Sequence, residues 1–195
     1  MAKIFLICFL IVMNKISFKA NYINDAKVMR LTASNEYKKI PAVVVELNIK
    51  SKEDLKVLEK VASRWALGDI YANDVYERFK ANAKEEKTEP KERFFALTTQ
   101  LKDHNELKPH KILGVAELYK FCEDKTEIEF LQADPKYQNP FIPREIIGVG
   151  YALVEELLNI IKDKEVVLFT TPKAKSLYER FGFKNTESNF MILKR

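Results

Sequence analysis

The apolar positions along the chain change period several times, and those changes mark out the elements. A strand over 27–31 and another over 40–48 flank Ser34-Asn35-Glu36, whose side chains favour a turn, so the chain is predicted to open on a β-hairpin. The segment Ala42-Val43-Val44-Val45-Glu46-Leu47 is β-branched and mostly apolar, as a strand packed on a core requires. Ser51, with Asp54 three residues later, forms a capping box that opens a helix, and Leu55, Leu58, Val61, Ala62 and Trp65 give that helix one apolar face. Beyond Gly68 the spacing of Val75, Tyr76 and Phe79 predicts a second helix over 73–82, and 83–91 is a charged loop with a proline. Strands follow over 93–100, 111–121 and 126–133, the last two joined closely enough to be an antiparallel meander. A long helix over 147–162 buries Val149, Leu153, Val154, Leu157, Ile160 and Ile161; a strand over 165–170, a helix over 172–181 and a strand over 190–194 complete the chain. This order is mixed α/β and departs from a regular βαβ repeat.

Composition narrows the possibilities. A chain of 195 residues, 47% hydrophobic and 31% charged, has the length and apolar content of one globular domain, assigned to 21–195. The net charge of +5 is spread along the whole chain, so no nucleic-acid surface is predicted from it. Cys8, Cys122, His104 and His110 are too few for a disulfide framework or a zinc site, so no metal is expected, and the two histidines are assigned no role. At the start, Lys3 precedes an apolar run over 4–13, too short to span a bilayer. Its length suits a secretory h-region, but cleavage after Ala20 would put Phe18 where a small side chain belongs. Residues 1–20 therefore read as a leader or an upstream extension, with Met13 as the alternative start; a cytoplasmic location is expected, and secretion is the other outcome.

Chemistry enters where the meander meets the long helix. Gly148 and Gly150 stand at the helix opening in a chain with five glycines, and glycine costs a helix about 1 kcal/mol relative to alanine. Two readings follow: a tight helix start, or a backbone that an anion such as phosphate approaches closely, because a helix N-terminus presents free N–H groups and a positive dipole end. The surrounding residues add a pattern. A strand ending Phe130-Leu131-Gln132-Ala133-Asp134-Pro135, then a loop, then Gly148-Val149-Gly150-Tyr151-Ala152-Leu153, resembles motif A of the GNAT acyltransferases: strand, Pro, Gln/Arg-x-x-Gly-x-Gly/Ala, helix. Downstream, Val167-Leu168-Phe169, Ala174, Leu177-Tyr178-Glu179 and Gly182-Phe183 resemble motif B of that family. The resemblance covers roughly 42–195, and Gly114 lies in a strand where the family often has a glycine.

The resemblance implies a GNAT fold: a central, mostly antiparallel sheet of six or seven strands, two of them splayed, with helices on both faces and here an extra N-terminal hairpin. It implies acetyl-CoA as co-substrate. The pantetheine arm would add to the strand edge at Leu131, Gln132 and Ala133. The pyrophosphate would sit on backbone N–H groups of Ile146, Ile147, Gly148, Val149 and Gly150, beside Thr171 and Ala174 of the motif B region. Tyr178 would stand beside the thioester sulfur as general acid. Two departures from the pattern matter: Glu145 occupies the Gln/Arg position, with Arg144 one residue earlier as the replacement phosphate contact, and Thr171 stands where motif B often has Asn. For a general base the preference is Glu127, on the same side of its strand as Glu129, with Glu117 in reserve.

The expected activity is acetyl transfer to a primary amine by direct attack. The alternative is an inactive GNAT-fold module that binds nucleic acid or protein through its lysines, although no nucleic-acid partner is expected. The acceptor is unidentified; Trp65, Asp69, Tyr71, Asp74 and Tyr76 are the residues of the acceptor region able to hold an ammonium group.

Overall fold

The computed structural model describes residues 19–66, 71–85, 91–138, 143–186 and 188–195, with the side chains of Tyr71 and Asn105 left out. The apolar run over 4–13, Gly68 and Asp69 lie outside the described residues. Among the described residues no helix is long and apolar enough to cross a membrane.

Strands β1 (Asn21–Leu31) and β2 (Tyr37–Leu47) form the predicted hairpin, β1 starting six residues earlier than the sequence suggested. The turn is tight because Thr32 N–H donates to the Glu36 carbonyl at 2.8 Å while Asn35 takes a φ of 62°, a conformation asparagine tolerates better than most residues. Helix α1 (Lys52–Trp65) is capped by Ser51, whose Oγ accepts the Asp54 N–H at 3.0 Å. The reciprocal arm differs from a simple capping box: the Asp54 carboxylate accepts the Asn48 N–H at 2.8 Å and so ties the helix start to the end of β2. Helix α2 (Tyr71–Lys84) follows, then β3 (Glu92–Thr98), β4 (Ile112–Cys122) and β5 (Lys125–Ala133).

The remainder contains β6 (Ile146–Ile147), α3 (Val149–Ile160), β7 (Glu165–Phe169), α4 (Lys175–Glu179), β8 (Lys184–Asn185) and β9 (Phe190–Lys194). Among the described residues the strands join one sheet in the order β6-β1-β2-β3-β4-β5-β7-β9-β8, antiparallel except for β5 with β7. The sheet exceeds the six or seven strands expected because β6 and β8 are two residues long, too short for any period to register. Ile147, read as the start of the long helix, belongs to β6 instead, and Gly148, at φ 83°, turns the chain from strand into helix.

Helices cover both faces. Val43, Val45 and Phe94 of the sheet pack with Leu58, Val61, Trp65 and Phe79 of α1 and α2 on one side. On the other, Val44, Leu97, Leu113 and Leu168 pack with Leu153 and Leu157 of α3 and Tyr178 of α4. Gly114 lets α3 lie close on the sheet: a Cβ there would stand 2.7 Å from Leu153 Cδ1 and 2.9 Å from Val149 Cγ1.

Candidate active site

Strands β5 and β7 pair in parallel from Lys125 opposite Glu165 to Ile128 opposite Leu168, and then part. Beyond that point β5 continues to Ala133 with β4 on its other side, while β7 ends at Phe169. A local irregularity sits where they part. Leu118 faces Ile128 and Glu117 faces Phe130, so Glu129 is an extra residue with no opposite number on β4. Such a bulge sharpens the twist and bends the strand. The V-shaped cleft that results has a volume of about 330 Å³ and is lined by Ile128, Glu129, Phe130 and Leu131 on one wall and by Phe169, Thr170, Thr171, Ala174 and Tyr178 on the other.

The start of α3 lies near Leu131 of this cleft. Its first intrahelical bond runs from Ala152 N–H to the Gly148 carbonyl at 2.9 Å, and neither a capping side chain nor an acidic residue occupies the first turn. The N–H groups before Ala152 therefore have no partner within the helix, and the positive dipole end is uncompensated. Gly148 has its glycine because of φ; there a Cβ would meet nothing within 4 Å. Gly150 is under a different constraint: a Cβ there would stand 3.2 Å from Leu177 Cδ2 and 3.9 Å from Leu131 Cδ2, so it also lets α4 approach α3. Val149 and Ile146 are core residues, which leaves their backbone rather than their side chains for a ligand. Arg144 is exposed and carries no side-chain partner among the described residues, and Glu145 beside it is also exposed.

Tyr178 is 6% exposed, and burial pushes its phenol up to about 12. Among the described residues its hydroxyl has no protein partner, while its ring stands edge-on to Phe183, with centroids 5.9 Å apart. A hydroxyl on a cleft wall, protonated at any working pH, is a proton donor without a recipient in the protein.

The carboxylates fall into distinct settings. Glu117 is fully buried and held at both oxygens by Arg78 of α2, with Nε at 2.9 and 3.0 Å and Nη2 at 2.8 Å. Burial raises its carboxyl to about 7 against the pull of Arg78, and the ion pair keeps it away from the cleft. Glu127 is half-buried, its carboxyl raised first by burial and then by Glu129, and lies before the strands part. Glu129, at the bulge, lines the cleft, with Arg78 Nη1 at 3.5 Å. Arg78 also lies 5.4 Å over the Phe130 ring and gathers the polar side of the site; nothing in a helical period singles out this one arginine. Glu129 escapes a reading by alternation because the bulge, a pairing event between strands, decides where it points.

Of the edge residues, Leu131 and Ala133 are half-buried against the core, and Gln132 is 4% exposed with both side-chain polar atoms unpartnered among the described residues. In the acceptor region Trp65 is 1% exposed and its indole N–H has no partner among the described residues, Asp74 lies in the first turn of α2, and Tyr76 carries Lys80 over its ring at 5.3 Å. His104 bonds the Gln100 carbonyl at 2.9 Å and stacks on Tyr22, a structural role.

No family model matches the chain, and no curated protein does. Solved structures do. An acetyltransferase assigned to the GNAT family from Desulfovibrio desulfuricans superposes with a TM-score of 0.54 at 13% identity, over 78% of this chain and 98% of that one. AtaTR bound with acetyl-CoA gives 0.51 at 15% identity, over 78% and 92%. A spermidine N-acetyltransferase SpeG chimera, from Vibrio cholerae and hSSAT, gives 0.50 at 16% identity, over 78% and 95%. The fold is that of the GNAT acetyltransferases, with one mostly antiparallel sheet, a splayed strand pair and helices on both faces.

Proposed function

We propose that the protein is an N-acetyltransferase that moves an acetyl group from acetyl-CoA to a primary amine of an acceptor. The observation that carries this reading is the juxtaposition of three features. An open strand edge at β5 and a protonated phenol border one cleft, and a helix end with free N–H groups starts beside it, where a Cβ on Gly150 would stand 3.9 Å from Leu131 of the cleft wall. The residues present fit the co-substrate: Leu131 and Ala133 offer backbone to the pantetheine amides, the first turn of α3 and Arg144 suit the pyrophosphate, and Thr171 and Ala174 flank the arm.

Acetyl-CoA supplies an activated thioester when bound. The chain's own residues supply protons and position. The amine nitrogen forms a bond to the acetyl carbon as the carbon–sulfur bond breaks, and Tyr178 gives its proton to the sulfur as charge develops there. The amine's proton leaves toward the carboxylates of β5, directly or through water; Glu127 remains the proposed base, and Glu129 is the carboxylate that borders the cleft. Arg78, committed to Glu117 of β4 at 2.8 Å, stands at 3.5 Å from Glu129 of β5.

The test is a panel of primary amines with acetyl-CoA, following release of free thiol, in the parent and in Tyr178→Phe. The substitution removes only the hydroxyl, so packing against Phe183 survives. Turnover should fall on the order of 10²- to 10⁴-fold with acetyl-CoA affinity nearly unchanged. Full turnover in a folded Tyr178→Phe variant would reduce Tyr178 to a core residue.

A further inference from the structure

The β1–β2 hairpin does more than extend the sheet. Its tip grips the chain just before α3: Met29 pairs with Ile147 and Arg30 with Ile146, Leu31 N–H donates to the Glu145 carbonyl at 2.8 Å, and the Tyr37 hydroxyl donates to the Arg144 carbonyl at 2.9 Å. Ile146 and Ile147 are thus held as a strand against the hairpin, and the two residues before them are tied to it by single hydrogen bonds. Side chains on strands alternate, so Arg30 shares the face of Val28 and Ala26, which pack with α3. Lys38, directly opposite Arg30, shares it too. Arg144 lies two residues before the core-facing Ile146, its carbonyl held by Tyr37. Arg30 and Lys38 are exposed, and among the described residues none of these three cations has an ion-pair partner. Like charges directly opposite each other on a strand pair are destabilising, so this arrangement costs the fold something that nothing inside the chain returns.

Resting on the acetyl-CoA reading above, we propose that Arg30 and Lys38 bind the 3′-phosphate of the coenzyme A nucleotide, leaving Arg144 to the pyrophosphate. Three residue steps lead from Ile146 to Val149 at the head of α3, about 10 Å at most along the chain, a separation that a ribose and an arginine stem bridge. The first turn of α3 takes the pyrophosphate by its N–H groups, and the hairpin row takes the remaining dianion, which needs charge more than backbone. The Tyr37–Arg144 bond sets the spacing of the two phosphate sites, so the hairpin is the rigid element that joins them.

Calorimetric titration of the full chain with coenzyme A and with 3′-dephospho-coenzyme A tests this. The parent should bind coenzyme A on the order of tenfold or more tightly than the dephospho form, since each charge-assisted contact is worth about that much. In Arg30→Gln/Lys38→Gln the preference should collapse toward unity through loss of coenzyme A affinity, with the dephospho form bound as before. Lys39→Gln, one position along β2 and on the opposite face, should leave the preference intact. A parent that binds both forms equally overturns the site alone, as does a double variant that keeps the preference or weakens both ligands alike. A parent that binds neither overturns the acetyl-CoA reading and this site with it.

Discussion

Adding one methyl group at Gly114 should loosen the fold and blunt the site together. The Cβ of Gly114→Ala would lie 2.7 Å from Leu153 Cδ1, 2.9 Å from Val149 Cγ1 and 3.1 Å from the Gln132 carbonyl oxygen. Leu153 is 0% and Val149 3% exposed, so neither side chain has room to swing away. The carbonyl belongs to β5, whose ladder to β4 runs through this level, with Gly114 opposite Ala133 and Val115 opposite Gln132. Helix α3 must therefore lift by several tenths of an ångström, an overpacking that costs about 1–3 kcal/mol. At about 2 kcal/mol the ratio of unfolded to folded chain rises on the order of 30-fold. Urea unfolding reads this as a lower midpoint at unchanged slope. The lift also carries Gly148 and Gly150 away from the cleft, so acetyl-CoA should bind more weakly. Combining Gly114→Ala with Val149→Ala removes one close contact, and the pair should cost less than the sum of the two changes. A Gly114→Ala variant with the parent's midpoint would refute the close approach of α3 to the sheet.

Two further outcomes concern buried charge. Arg78→Ala strands Glu117 without its partner and should cost about 3–5 kcal/mol in urea unfolding, with much of that recovered in Arg78→Ala/Glu117→Gln; equal losses in the single and double variants would contradict the pair. The carboxyl of Asp54, raised to about 6 by burial, makes the unusual acidic contribution. Because its folded value lies above its unfolded one, it favours folding fully below about pH 4 and loses that contribution as pH rises through about 6. The stability of the parent relative to Asp54→Asn should therefore improve as pH falls from 7 to 4, and a difference flat with pH would show that Asp54 is not desolvated in the fold.

The sequence by itself determined the elements whose signal is local. The apolar stripes of α1, α2 and α3 fall where the structure buries Leu58, Phe79 and Leu153, because a helix repeats its face every few residues and the pattern needs no partner. The hairpin, the capping by Ser51 and the glycine turn at Gly148 were legible for the same reason: each is set by residues within a few positions of one another. Tertiary structure decided what depends on pairing. Whether Glu127 or Glu129 meets the cleft turns on a bulge that exists because β5 is out of step with β4. Glu117 looks like any strand carboxylate until Arg78, 39 residues away, closes on it. The two-residue strand β6 has no period of its own; β1, more than a hundred residues earlier, makes it a strand and thereby fixes the approach to α3. Hydrophobic period records which face of an element is buried, while the partner that buries it is chosen by contacts that no window along the chain contains.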